Sequence, residues 1–185
     1  MNSVRLILLT GMPGAGKSLV SKGAELLEIP VLTMGDIVRE ETEKRKLKPT
    51  PENTGLVAKK LREEYGKDVI AKLIFKKILN QKYEVVLIDG LRSLYELDFF
   101  KKSAKDITLI AIHASPKTRF QRLRNRNRED DPKTWEEFCN RDRRELEFGI
   151  GSVIALADIM IVNENISKNE LLEKVCKILK EVARK

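Results

Sequence analysis

Gly11-Met12-Pro13-Gly14-Ala15-Gly16-Lys17-Ser18 is the stretch that decides the fold. It is a Gly-x-x-x-x-Gly-Lys-Ser/Thr loop set between the apolar run Arg5–Thr10 and a helical pattern containing Leu19, Val20, Leu26 and Leu27. Each part of the loop has a chemical task. Glycines 11, 14 and 16 let the backbone curl so that successive N–H groups point at phosphate oxygens. The helix that opens after Gly16 adds the positive end of its dipole. The Lys17 ammonium reaches the outer phosphates, and the Ser18 hydroxyl is suited to Mg²⁺. Gly11, Met12, Pro13, Gly14, Ala15, Gly16, Lys17, Ser18 and Leu19 are therefore expected to hold the phosphates of ATP, with Mg²⁺ as companion.

Outward from the loop, Val85-Val86-Leu87-Ile88-Asp89 is an apolar strand ending in a carboxylate. An acid there is expected beside the loop, which makes Asp89 the second metal-side residue with Ser18. Further strands are predicted at Val31–Thr33, Ile107–His113 and Asp158–Val162. Several of the strands are rich in β-branched residues and apolar throughout, as expected for strands covered on both faces. Helical stripes lie between and after them. One runs from Val69 to Ile78. Another runs from Leu171 to Val182, on a helix capped near Ser167. Strands alternating with helices predict an α/β fold, the three-layer arrangement of P-loop NTPases, with a five-stranded parallel sheet flanked by helices. Two stretches interrupt the alternation. A polar helical segment, about 36–66, reads as a lobe for the acceptor. Residues 119–144 are dense in arginine and read as a short lid. The remaining core is 1–35, 67–118 and 145–185, giving one domain over 1–185.

Composition narrows the class. The chain has 185 residues, with 36 Lys+Arg against 28 Asp+Glu, a net charge of +8. Hydrophobic residues are 42% and charged ones 35%, which excludes a disordered or fibrous chain. No apolar run approaches the roughly 20 residues of a membrane span. The opening Met1-Asn2-Ser3-Val4-Arg5 leads into a strand without a small-residue cleavage site. No membrane partner and a cytoplasmic location are expected. Cys139 and Cys176 lack CxxC spacing and read as free buried thiols, with a disulfide as the lesser alternative.

Several segments resemble known nucleotide kinases. Thr33-Met34-Gly35-Asp36-Ile37-Val38-Arg39 resembles the start of the monophosphate lobe of adenylate kinases, with its Gly-Asp-x-x-Arg pattern. Asp89-Gly90-Leu91-Arg92 resembles a second stretch of those enzymes, shortened by one residue. The resemblance implies that Arg39 and Arg92 grip the acceptor's phosphate, with Gly35, Asp36, Gly90 and Glu96 beside them. Planar guanidinium groups suit that task. Glu96 stands where adenylate kinases have a glutamine that helps read adenine, which leaves the acceptor base open. The second half, in Arg119-Phe120-Gln121-Arg122-Leu123 and Ala157-Asp158-Ile159-Met160-Ile161-Val162-Asn163, also resembles dephospho-CoA kinases. It implies that Arg119 and Asn163 lie on the adenine side. Dephospho-CoA kinases usually carry Asp-x-Asp near the second strand, where this chain has Met34-Gly35-Asp36. The whole is most similar to the small archaeal proteins described as adenylate kinase-related.

In phosphoryl transfer the protein mainly positions groups and neutralises charge. Arg122 and Arg126, four apart on a helix, and Arg128, in a lid with Asp130 and Asp131, are the expected catalytic arginines with Lys17 and Asp89. Arg141 and Arg144 can enter from the following helix. Other arginines of 119–144 are expected to pair with Glu129, Glu136, Glu137 and Asp142. The resulting expectation is an ATP-dependent phosphotransferase acting on a nucleotide, AMP favoured, as a monomer or small homo-oligomer. Alternatives are hydroxyl phosphorylation like that of dephospho-CoA kinases, with Asp36 taking the proton, and a polynucleotide 5′ kinase or nucleic-acid-associated ATPase. Nucleic acid is the less favoured partner, because aromatics are only 5% and scattered. A GTPase switch would need an Asn-Lys-x-Asp motif, which the chain lacks.

Overall fold

Strand β1 (Arg5–Thr10) is the middle of a five-stranded sheet of order β2-β3-β1-β4-β5. Its neighbours are β3 (Val85–Asp89) and β4 (Ile107–His113), with β2 (Val31–Thr33) and β5 (Ile159–Val162) at the edges. The computed structural model describes residues 4–128 and 131–184; Glu129 and Asp130 of the expected lid lie outside the described residues. Every pairing is parallel, and Leu9 lies between Asp89 on one side and Ile110 on the other. The loop after β1 therefore opens between the ends of β3 and β4. Four strands keep their predicted bounds. The fifth starts one residue late, because the Asp158 carboxylate turns back to accept the Leu109 N–H at 2.7 Å.

The alternation of β1 builds the layers. Leu6 and Leu8 point into a cluster with Ile70, Ile74 and Ile78 of α4 (Val69–Leu79) and Leu97 and Phe100 of α5 (Leu94–Ser103). Ile7 and Leu9 point the other way, onto Val20 and Ala24 of α1 (Lys17–Leu26) and Leu171, Val175 and Leu179 of α9 (Lys168–Arg184). Each fully buried aliphatic side chain contributes about 1.5–3 kcal/mol. Arg5 ties the end of α9 to the first strand, donating to the Val182 and Ala183 carbonyls at 3.3 and 2.7 Å. It also pairs with Asp106 at 2.6 Å.

The expected acceptor lobe holds α2 (Met34–Lys44) and α3 (Pro51–Tyr65). Thr33 caps α2 and Thr50 caps α3, each hydroxyl accepting a backbone N–H three residues on. Although polar overall, the pair buries Ile37, Val57 and Leu61 in the same cluster as α4. The expected lid holds α6 (Pro116–Arg126) and α7 (Trp135–Glu147), followed by α8 (Ile150–Ala155). Cys139 and Cys176 are free thiols, half-buried rather than buried.

Leucines of the helical stripes are not equivalent: Leu26 is 60% exposed, whereas Leu179 has no exposed surface. Leu179→Ala is expected to cost about 2–5 kcal/mol and Leu26→Ala less than about 0.5 kcal/mol. Urea unfolding of both variants checks the layer assignment, which equal losses would contradict.

Candidate active site

The phosphate loop is shaped by close approach. A Cβ on Gly11 would lie 2.4 Å from the Ile112 carbonyl oxygen. A Cβ on Gly16, where φ is +114°, would lie 2.4 Å from Asn163 Nδ2. Only glycine fits at either position. Helix α1 then opens with no side chain capping it and no acid in its first turn. Its positive end is left to an anion from outside the chain. Met12 and Ala15 are buried beneath the loop, and Ser18 is exposed at the helix start.

Lys17 folds back on the loop, its Nζ donating to the Gly11 carbonyl at 2.6 Å. Burial pushes its ammonium below the ordinary value, with Asp89 partly offsetting this. The charges of Arg92, Glu145 and Arg141 also bear on it. Asp89, at the end of β3, is pushed upward by burial against the opposing pull of Lys17. Its Oδ2 accepts from Ser21 Oγ at 3.5 Å, and its Oδ1 is buried without a hydrogen-bond partner. The orphaned carboxylate oxygen fits a divalent cation, and the uncapped helix start fits the phosphates that would accompany it. Among the described residues no group of three or more His, Cys, Asp or Glu forms a metal cage. Mg²⁺ would accordingly be held by Ser18, Asp89 and the nucleotide's own phosphates, as this cation commonly is.

The acceptor-side residues divide. Asp36 accepts from the Thr33 hydroxyl at 2.5 Å and from Arg39 Nε at 3.1 Å. Against the upward push of partial burial, these partners hold its carboxyl below the usual value. Its charge is felt at Asp89, so it stands on the cleft side of α2. Gly35 lies against the Arg39 guanidinium. Arg92 follows the left-handed Gly90 (φ 102°) and pairs at 3.5 Å with Glu145 of α7. Arg39 and Arg92 thus rest on carboxylates that an anionic ligand would displace.

Glu96 corrects the expectation placed on it. It is 1% exposed, and its Oε2 accepts the Arg92 and Ser93 N–H groups at 3.1 and 3.2 Å. Its Oε1 accepts from Arg62 Nη2 at 3.2 Å. The carboxylate caps α5, is turned inward, and has three of its roughly four acceptor sites filled within the chain. Ser93-x-x-Glu96 is the capping-box spacing, and Thr134-x-x-Glu137 repeats it at α7. Both signals are present in the sequence.

Arg119 is also corrected. The guanidinium is buried, bidentate to Asp142 at 2.8 and 2.5 Å, and bonded to the Pro13 and Ala114 carbonyls. It does not present an open face to an adenine ring. Asn163 donates from Nδ2 to the Ala15 carbonyl at 2.8 Å, joining β5 to the phosphate loop. Arg122 donates from Nη2 to Asn163 O and Oδ1 at 3.0 and 3.1 Å, while its Nη1 is buried without a hydrogen-bond partner. Arg126 pairs with Asp131, which also accepts the Arg128 N–H at 3.0 Å and stands 3.6 Å from Arg141. The Arg126 hydrogen bond keeps the Asp131 carboxyl low. Arg144 is exposed on α7.

Relatives define the family. A Methanocaldococcus jannaschii UPF0200 protein is 52% identical over 180 residues, covering 96% of this chain and 90% of its own. The chain belongs to the UPF0200 family. A Hyperthermus butylicus member is 54% identical over 159 residues, covering 86% of this chain and 85% of its own. A family described as an AAA domain matches residues 10–139, which begin at the phosphate loop. Among solved structures, Thermus thermophilus TT1252 superposes with a TM-score of 0.70 at 16% identity, over 96% of this chain and 97% of its own. Shikimate kinase from Bacteroides thetaiotaomicron gives 0.63 at 18%, over 98% and 99%. At such identities the likeness is one of fold: a five-stranded parallel sheet flanked by helices, as in P-loop kinases.

Two outcomes test the site. Because the Asp89 carboxyl is raised, wild type should lose stability relative to Asp89→Asn as pH climbs from about 4, where an unfolded carboxyl ionises. Asp89→Asn should also lose most of the Mg²⁺ dependence of ATP binding; unfolding curves across pH and calorimetry with and without Mg²⁺ read both effects. Glu96→Ala, losing a helix cap, should destabilise by about 0.5–2 kcal/mol. Glu96→Gln, which keeps an acceptor for the cap, should lose less and leave nucleotide preference unchanged; a switched preference would restore Glu96 as a base reader.

Proposed function

We propose that the protein is an ATP- and Mg²⁺-dependent phosphotransferase whose acceptor is a nucleotide, with AMP the first candidate. The observation that carries this reading is a phosphate loop with half-exposed arginines on its flanking elements: Lys17 is folded onto the Gly11 carbonyl at 2.6 Å, Asp89 keeps an unpartnered oxygen, and Arg92 rests on Glu145 at 3.5 Å. Arginines that are half exposed in their carboxylate pairs support a second anionic ligand beside the nucleotide, which a hydrolase does not need.

Bound between Ser18 and Asp89, Mg²⁺ would neutralise charge on the outer phosphates. Lys17 leaves the Gly11 carbonyl for the β- and γ-oxygens. Arg39 and Arg92 exchange Asp36 and Glu145 for the acceptor's phosphate, which both holds and orients it. The nucleophile is then a phosphate oxygen, and no strong base is needed. Arg122 stands behind the loop, and Arg126 and Arg128 belong to the lid that excludes water. If the acceptor is instead a hydroxyl, Asp36 is the proton acceptor, although, against the upward push of partial burial, its bonds to Thr33 and Arg39 hold its carboxyl low and make it a weak base.

ADP formation from ATP, measured against AMP, CMP, UMP, GMP, dephospho-CoA and oligonucleotides, should depend on one of the nucleotide acceptors. Lys17→Ala should lower turnover by at least about 100-fold. Arg39→Ala should raise the acceptor KM by about tenfold, the loss of one charged contact to the phosphate. Acceptor-independent ADP formation throughout the panel would end the phosphotransferase reading, and an unchanged KM would remove Arg39 from the site.

A further inference from the structure

Arg119 is a long cation with 4% of its surface exposed, on the first turn of α6. Its Nη1 donates to the Pro13 carbonyl at 3.2 Å, on the back of the phosphate loop. The same nitrogen and Nη2 clamp Asp142 of α7 at 2.8 and 2.5 Å, and Nε is held by the Ala114 carbonyl at 3.1 Å. The backbone is equally close: a Cβ on Gly14 would lie 2.8 Å from the Arg119 carbonyl oxygen. One planar fork thus touches the loop, the end of β4 and the lid helix. Stability alone is a weak reason for such a pair, since well-packed apolar replacements often match or exceed a buried ion pair.

The faces of α7 give it a purpose. Phe138 and Asp142, four apart, share the face turned to Arg119, with the Phe138 ring centroid 4.9 Å from the guanidinium carbon. Arg141 and Glu145, also four apart, share the adjoining face. Their charges reach Lys17, and Glu145 pairs with Arg92. The Arg119 fork thus links Pro13 of the loop directly to Asp142, next to Arg141 on α7.

We propose that Arg119 and Asp142 are positioning residues that couple the phosphate loop to α7, so that filling the loop shifts α7 and with it the neighbouring Arg141. The inference rests on the phosphotransferase reading for its consequence in turnover, but not for the coupling itself. Trp135, the chain's single tryptophan, supplies a native reporter. It starts α7, is 48% exposed, and stacks on Phe138 with ring centroids 5.1 Å apart.

The test titrates Mg·ATP into wild type, Asp142→Asn, Arg119→Lys and the double variant, following Trp135 emission and, by calorimetry, binding. Wild-type emission should change on saturation. Asp142→Asn should bind Mg·ATP within about threefold of wild type yet lose at least about half of that change. Its kcat should fall about tenfold with the KM for ATP retained, and Asp142→Glu should recover part of both. The double variant should be no worse than the poorer single variant, because both act through one contact. A full emission change and unaltered kcat in folded Asp142→Asn would overturn the proposal. So would the absence of any emission change in wild type on binding Mg·ATP, which needs no variant to fold. If no acceptor supports turnover, the phosphotransferase reading fails while the emission and binding data still decide the coupling.

Discussion

Lys17 and Asp89, whose charges act on each other across the end of the phosphate loop, are the groups around which the cleft is organised. Both side chains are partly withdrawn from water at the carboxyl end of a parallel sheet, where removing an ion from water is costly. Neither is fully satisfied by the chain. Lys17 settles on a backbone carbonyl of its own loop, and one oxygen of Asp89 has no hydrogen-bond partner. Burial shifts both away from their charged forms, and each opposes that shift in the other. Such a pair is poised to accept phosphates on one side and a cation on the other. The surrounding fold exists to hold it there: β1 and β3 bring the two strand ends together, and the apolar layers on both faces keep water from relaxing the arrangement.

Around that pair the basic surplus has been sorted by geometry. Part of the +8 charge lies in arginines whose guanidinium groups serve the architecture. Arg5 closes the end of α9, Arg62 backs the Glu96 cap, and Arg119 ties the loop to the lid helix. Others stand at the cleft on carboxylates that a phosphate can replace, as Arg39 does on Asp36 and Arg92 on Glu145. The difference lies in burial. A fully buried bidentate pair is a fixed strut, while a half-exposed pair exchanges partners at little cost because water screens both states.

Much of this was legible in the residues. Strand bounds emerged because the central strands are covered on both faces and carry runs of apolar residues, a pattern that short polar segments cannot imitate. The phosphate loop was legible because its glycines, lysine and serine are each required by contacts only a few residues away. Glu96 and Arg119 were misplaced for different reasons: the Ser93-x-x-Glu96 cap is local and its spacing was there to be read, whereas Asp142, the partner of Arg119, is distant in the chain. Glu96 reads as a base-contacting residue until Arg62 and the α5 cap occupy both its oxygens. Arg119 reads as an adenine-side arginine until α7 folds back and presents Asp142. The aromatic packing of Phe120, Trp135 and Phe138 escaped notice because residues 119–144 are so rich in charge that their few rings form no helical stripe.

The sequence by itself determined the layered α/β fold, the phosphate loop and the strand-end carboxylate, because short-range sterics, alternation and burial dictate them locally. Tertiary structure alone decided which arginines are locked in buried pairs and which stand half-exposed on their carboxylates. Charge is visible in a sequence, but whether a guanidinium is occupied depends on which carboxylate, separated by 23 residues for Arg119 or 53 for Arg92, the folded chain brings within hydrogen-bonding or ion-pair reach.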